Sequence, residues 1–427
     1  MHDRIDKRPQ LVESIAASEE RAGLRNGDHY GRSFRKAVIG LLIMAAVTDI
    51  QVTAAIAPKI AVGLDSSAVT ISFGFVVYSI AAAAASALLI RFPANLDPAI
   101  TLPWASWLYG AFILVSIVDG GTIFFLAGRI GSGLAGGMIS TLAITSLAAA
   151  SEYRRRGASM NFLAIGYYAA PMLGVPAGVV LAEYFQWQAA LAVVAIIFAF
   201  AGFLTKRFPL RRIDPKVLPT PSPVSDLSTR SLRLGVISAF FVSGGVFGFT
   251  IFVGTWAAEK EIFSAFSGGT VYLLINLAGF CGALAGGFLA DRFGKRYAAL
   301  FSSLLMAGFL FAGLFAAEPA IKVLFILGGA AAAALRVAPM NALVTELVRP
   351  ARTARYVATR NISSQLGIAA SIFVCGQLYA AAGYRAVLFA SAVLTLVAWI
   401  TIWGIDEPRS TESLSDGEPV PRLIFGQ

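Results

Sequence analysis

Three ionisable side chains sit where their neighbours are almost wholly apolar: Asp49 in AAVTDIQVTAAIAPKI (45–60), Arg129 in AGRIGSGLAGG (127–137) and Arg336 in AALRVAPMNAL (333–343). A charge at the centre of a bilayer costs at least about 2.5–3.5 kcal/mol on insertion scales, so each is a functional candidate if these runs cross a membrane. Burial and a neighbouring guanidinium pull a carboxylate's proton affinity in opposite directions. An Asp49–Arg129 pair is therefore a candidate proton switch, with a static ion pair tying two helices as the plainer alternative. Arg336 suits an anionic or zwitterionic substrate group, or else a pairing with Asp49 or with backbone carbonyls. Gln51, Tyr78, Tyr168, Trp256, Asn276 and Asn341 also interrupt apolar runs. They are candidates to line a substrate cavity, and ordinary interhelical hydrogen bonding or packing is the competing explanation.

Other chemistries find no footing. His2 and His29 both precede the first apolar run, so no histidine is available there for a zinc site, and no metal or cofactor is expected. Cys281 and Cys375 lie within apolar runs, which argues against a disulfide framework. No nucleophile–base constellation stands out, so an embedded enzyme is the weaker reading.

The elements that must position these groups are helices in lipid. Of 427 residues, 57% are hydrophobic and 14% charged, against about 25% charged in soluble domains; the mean hydropathy is +0.73. The net charge of +10 reads as membrane topology and not as a nucleic-acid footprint. Twelve apolar runs of spanning length follow one another, at about 37–58, 69–90, 99–118, 121–148, 159–182, 188–205, 233–257, 268–289, 297–316, 321–345, 356–380 and 385–405. They are too long and too continuously apolar for barrel strands. The fold class expected is therefore all-α integral membrane, with twelve transmembrane helices. The loops after even-numbered spans carry 17 Lys and Arg, against 4 (Lys59, Lys260, Lys322 and Arg385) in the others. The positive-inside rule then puts both termini in the cytoplasm.

The proline- and cation-rich stretch 206–232 separates two groups of six spans, 37–205 and 233–405, flanked by tails 1–36 and 406–427. The tails read as flexible or as short surface helices. The halves look related. Tyr272 follows Tyr78 by 194 residues (272 − 78), and the same offset takes Asp97 to Asp291 and Glu152 to Glu346. WQAAL at 187–191 is answered by YRAVL at 384–388 with a drift to 197. Internal repeats of this kind mark secondary transporters, with the substrate site near the midplane.

The loop between spans 8 and 9 reads GFLADRFGKR (287–296). With twelve spans in two repeats and a cationic middle loop, it resembles the major facilitator superfamily, whose signature here is approximately G-x-L-a-D-R-x-G-R-K. The resemblance covers nearly all of the chain after the N-terminal tail and implies a transporter moving a small molecule by alternating access. It implies a conformational latch of Gly287, Asp291, Arg292, Gly294, Lys295 and Arg296, with Asp97 as its first-half counterpart and with anionic lipid headgroups or carboxylates such as Glu346 in reach of the cations. A plain cationic turn is the alternative. Asp291 is placed to cap or face a helix N-terminus. The counterpart near Asp97 has lost the pattern, with Pro93, Pro98 and Ile100 where the family has glycine, arginine and glycine.

The resemblance extends to drug–proton antiporters. Arg129 and Gly133 match an R-x-x-x-G pattern linked in relatives to proton coupling, and Asp49 stands where many carry a membrane carboxylate. Gly166, Pro171 and Gly174 match the helix-bend motif G-x-x-x-G-P-x-x-G-G, with Ala170 and Val175 replacing two glycines. The reading is a proton-coupled exporter of a small organic molecule in the bacterial inner membrane, working as a monomer. The alternatives are a proton symporter importing an organic anion or siderophore-like metabolite, and a membrane receptor without transport.

Overall fold

The computed structural model describes residues 37–91, 97–150, 156–209, 229–262, 267–348 and 350–406. Among them all regular structure is helical. The helices are α1 (Ala37–Ala55), α2 (Ala57–Gly63), α3 (Ala68–Arg91), α4 (Pro98–Ser116), α5 (Gly121–Ala150), α6 (Arg156–Tyr184) and α7 (Trp187–Arg207). After the linker come α8 (Thr229–Glu259), α9 (Ser267–Phe293), α10 (Lys295–Phe315), α11 (Pro319–Leu335), α12 (Val337–Glu346) and α13 (Pro350–Trp403). Ten stretches among the described residues are long and apolar enough to cross a membrane. Their outward faces are apolar too: Ile123 and Phe315 are each more than 70% exposed. A surface of that kind is built for lipid.

Prolines and glycines explain where the expected spans are broken. Pro58 in the first turn of α2 cannot donate to the carbonyl four residues back, and the first run divides at Ile56. Pro339 does the same near Arg336, which joins α11 to α12. α13 runs through two expected spans, and its one non-helical residue is Gly383, with φ of 70°. Gly294, with φ of 88°, is the single residue between α9 and α10. Only glycine takes that conformation without strain, which accounts for the second glycine of the signature loop.

Close packing rests on glycine. A Cβ at Gly133 or Gly137 of α5 would lie 2.3 Å from the carbonyl oxygens of Tyr78 and Ala82 on α3. A Cβ at Gly282 or Gly286 of α9 would lie 2.1 and 2.4 Å from those of Ala331 and Leu335 on α11. Both pairs have G-x-x-x-G spacing, which lets backbones touch where lipid supplies no hydrophobic drive. α3 packs on α5 and α13, α6 on α9, and α13 on α8.

Much of the linker, at 210–228, lies outside the described residues, as do both tails up to residue 36 and from 407 on. Pro93, Glu152 and the side chain of Glu346 also fall outside them, so the latch contacts expected of Glu346 have no structural account.

Candidate functional site

Asp49, on α1, is fully buried and gathers side chains from two other helices. Arg129 of α5 donates from Nη1 to Oδ2 at 2.8 Å and from Nη2 to Oδ1 at 3.4 Å. Tyr109 of α4 donates its hydroxyl to Oδ2 at 2.8 Å. Thr53, one turn along α1, reaches Oδ1 at 3.5 Å. The guanidinium lies 5.5 Å from the Phe125 ring centroid, adding a cation–π contact. Gly74 of α3 makes room for this group: a Cβ there would sit 2.8 Å from Phe125 and 3.4 Å from Arg129 Cγ. The two charges foreseen in spans 1 and 4 are thus in contact, as a two-point ion pair. The helix-bend residues lie against the same helix. A Cβ at Gly166 or Gly174 would strike Met44 or Thr48 of α1, and Pro171 lies between them inside α6.

In front of this cluster lies a cavity of about 390 Å³, lined by parts of α1, α3, α5, α6, α8, α9 and α11–α13. That volume is in the range of small-molecule sites. Six of the seven residues singled out as cavity candidates line it: Gln51, Tyr78, Tyr168, Asn276, Arg336 and Asn341. Trp256 does not. It is stacked on Tyr384 with centroids 4.9 Å apart, under the Lys322 ammonium. Asp49, Arg129 and Tyr109 do not line the cavity either; Tyr78 stands between, its hydroxyl 3.3 Å from that of Tyr109.

Asn276 donates to Gln51 at 2.6 Å and to the Tyr272 carbonyl at 2.8 Å, while its Oδ1 is buried without a partner among the described residues. Arg336 is 1% exposed and donates to Ser303 at 3.2 Å, to the Val242 carbonyl at 3.3 Å and to Met306 sulfur at 3.7 Å. It does not pair with Asp49, and no carboxylate lies within ion-pair distance of it among the described residues. The wall has a second cation that sequence reasoning missed, Arg360, and no Asp or Glu among the described residues. Asn361 beside it was missed as well; its amide donates to Ser86, Ser140 and Thr141 at 3.1–3.3 Å.

The signature loop is arranged differently from one expectation. Asp291 does not cap α10, because the residue before that helix is Gly294 and no side chain caps it. Asp291 lies in the last turn of α9, exposed, as is Arg292. Arg296 donates to the Trp403 carbonyl and lies over the Trp403 ring; Gly287 lies within α9 and Lys295 opens α10. It is Asp97 that acts as a cap, accepting from Ala99 N at 3.0 Å at the start of α4. Pro98 opens the helix with no N–H of its own, and Asp97 caps the next one.

A bundle of apolar helices around a polar-studded cavity, with a buried ion pair beside it, defines a membrane transporter. The sequence model of the Major Facilitator Superfamily matches residues 39–328 and 277–426, and the chain belongs to that family. Membership of the family points to a transporter and not to an enzyme, and implies a small-molecule substrate and embedding in a bilayer. Among individual proteins, the chain is 22% identical over 224 residues to an uncharacterized MFS-type transporter, YbcL, of Bacillus subtilis (strain 168). That match spans 52% of this chain and 57% of the relative. The crystal structure of the human organic anion transporter MFSD10 (TETRAN) superposes with a TM-score of 0.67 at 16% identity, covering 86% of this chain and 99% of the other. At that identity the likeness concerns the fold.

Proposed function

We propose that the protein is a proton-coupled secondary transporter that exports a small organic molecule by alternating access. Twelve spans serve this cycle: α1 with α2 forms the first, α11 with α12 the tenth, and the two arms of α13 on either side of Gly383 the last two. They group as two six-helix repeats, 37–205 and 233–405, with both termini in the cytoplasm of a bacterium and the chain in its inner membrane. Asp49 carries the proton. Gln51, Tyr78, Tyr168, Asn276, Arg336 and Asn341 contact the substrate in the cavity. The loop at 287–296 steadies one of the two access states.

The observation that carries this reading is the Asp49 carboxylate held by Arg129 and Tyr109 one tyrosine behind the cavity wall. A proton on Oδ2 competes with both donors for the same oxygen. Protonation of Asp49 therefore loosens α1 from α4 and α5, which gives a proton leverage over helix packing. The test is proton movement in respiring inside-out vesicles that hold the protein, on addition of drugs, organic acids, amino acids and siderophores. Collapse of the pH gradient by a compound, lost in Asp49→Asn, is the expected result. Absence of any response, with Asp49→Asn indifferent, would overturn it.

A second reading reverses direction and takes up an organic anion with protons. It is favoured by a cavity wall holding Arg336 and Arg360 and, among the described residues, no acid, and by the likeness to MFSD10, an organic anion transporter. Accumulation of labelled organic acids in intact cells, dependent on Arg336, would decide for it.

A further inference from the structure

We propose that Tyr78 and Tyr109 form a two-hydroxyl relay carrying protons between the cavity and Asp49. This rests on the reading of Asp49 as the proton carrier. Asp49 is fully buried and does not line the cavity, so a proton in the cavity has no direct path to it. Among the described residues, the groups facing its carboxylate are Arg129 from α5, Tyr109 from α4 and Thr53 from its own helix. A guanidinium has no acceptor with which to pass a proton on, and Thr53 is long at 3.5 Å and stays on α1. Tyr109 alone leads outward. It is itself fully buried, and the next group along is the hydroxyl of Tyr78 at 3.3 Å, which does line the cavity.

The pair is held as a relay must be. The Tyr109 ring is stacked on Phe198 with centroids 3.8 Å apart and planes 16° from parallel, so its hydroxyl is aimed by ring packing. Tyr78 meets it edge-on at 6.3 Å. Gly136 of α5 makes the space for both hydroxyl ends: a Cβ there would fall 2.4 Å from Tyr78 Oη and 3.0 Å from Tyr109 Cε2. Tyr109 has one hydroxyl proton and two acceptors in reach, Asp49 Oδ2 at 2.8 Å and Tyr78 Oη at 3.3 Å; the relay is set when that proton lies on Oδ2 and Tyr78 turns its own toward the Tyr109 oxygen.

The transfer balances without an isolated phenolate. The Tyr109 O–H bond breaks as its proton moves to Oδ2 of Asp49. Tyr109 oxygen takes the proton of Tyr78, and Tyr78 oxygen takes one from the cavity. One proton enters, one arrives on the carboxyl, and both phenols end neutral; release runs the same steps backwards. Tyr78 is then more than a substrate contact. A substrate seated against it closes the proton entrance, so that a proton neither reaches nor leaves Asp49 while the cavity is occupied.

The experiment needs no substrate. Full-length protein in lipid nanodiscs is subjected to a rapid pH drop while the carboxylic-acid stretch lost in Asp49→Asn is followed by infrared spectroscopy. Tyr78→Phe is expected to slow the appearance of that band about 100-fold, the scale of a positioned proton-transfer group, and to leave its final amplitude unchanged. Tyr78→His is expected to restore speed, with a rate that now depends on pH in the imidazole range. Should Tyr78→Phe fail to fold, Gly136→Ala carries the same expectation of slowing by displacing the hydroxyl. An unchanged rate in the folded variant would overturn the relay and leave Asp49 as carrier. Absence of any Asp49-dependent band at every pH the protein survives would overturn both.

Discussion

At the scale of single residues, the Asp49–Arg129 pair is asymmetric in its consequences. Two buried charges in mutual contact are close to neutral for stability, whereas one left alone is not. Arg129→Leu strands the carboxylate, and its expected cost is about 3–5 kcal/mol, read as a fall in the thermal midpoint of the protein in detergent. Asp49→Asn combined with Arg129→Gln removes both charges and is expected to recover most of that loss. Equal destabilisation in the double variant would show that the pair's surroundings, and not its charge balance, hold the helices. Asp49 and Arg129 were legible in the sequence because a charge in an apolar run is conspicuous on its own. Tyr109 was not. A tyrosine in a membrane run is unremarkable until its hydroxyl is seen against a carboxylate 60 positions away. Arg360 was missed for another reason: four residues into its run, it reads as a boundary cation, and only the long α13 shows it facing the cavity.

At the scale of helices, glycine spacing decides how close two spans come. Gly282 and Gly286 seat the carbonyls of Ala331 and Leu335, the latter already deprived of its usual partner by Pro339. A valine at either glycine forces α9 from α11 and is expected to cost about 1–3 kcal/mol, the scale of overpacking in a close-fitted core. Gly308, where a Cβ would meet nothing within 4 Å, is the control. Its change to alanine is expected to leave the thermal midpoint unmoved, so an equal shift in both variants would refute close approach as the cause. Helix positions were legible from apolar runs alone, most to within a few residues. The small-residue stretches AGRIGSGLAGG (127–137) and LGGAAAAAL (327–335) have the composition of close-packed helices. Partners were not legible: nothing local says that 327–335 receives glycines from α9 while the glycines of 127–137 lie on α3. The misplacement of Asp291 as a cap has a similar origin, since α9 runs through Asp291 to Phe293 and leaves one residue, a glycine, for the turn.

For the whole molecule, the two repeats we propose would relate helix contacts to one another through the 194-residue offset. α3 meets α13 and α6 meets α9, and the offset carries α3 onto α9 and α6 onto the first arm of α13. The drift to 197 pairs two turns of unusual backbone, Gln186 with φ of 135° and Gly383 with φ of 70°. What the offset did not disclose is how the halves are fastened, because the fastening is asymmetric. Asn361 shares one amide among Ser86, Ser140 and Thr141 of the other half, in a part of the wall lying toward the cation-rich ends of α3 and α13. Asn276 ties to Gln51 elsewhere in the wall. A net hydrogen bond is worth about 1 kcal/mol, small against the stability of a bundle. Against the balance of two access states it is a factor of about five. Asn361→Ala is therefore expected to leave folding intact and widen the gap between halves. Spin labels at positions 91 and 355, with Cys281 and Cys375 replaced, would report this as a second, longer distance whose population rises about fivefold. A distance distribution identical to that of the parent would mean that the hydroxyl clasp does not set the balance. Control would then have to be sought in the Asp49 cluster, where we propose that the proton acts.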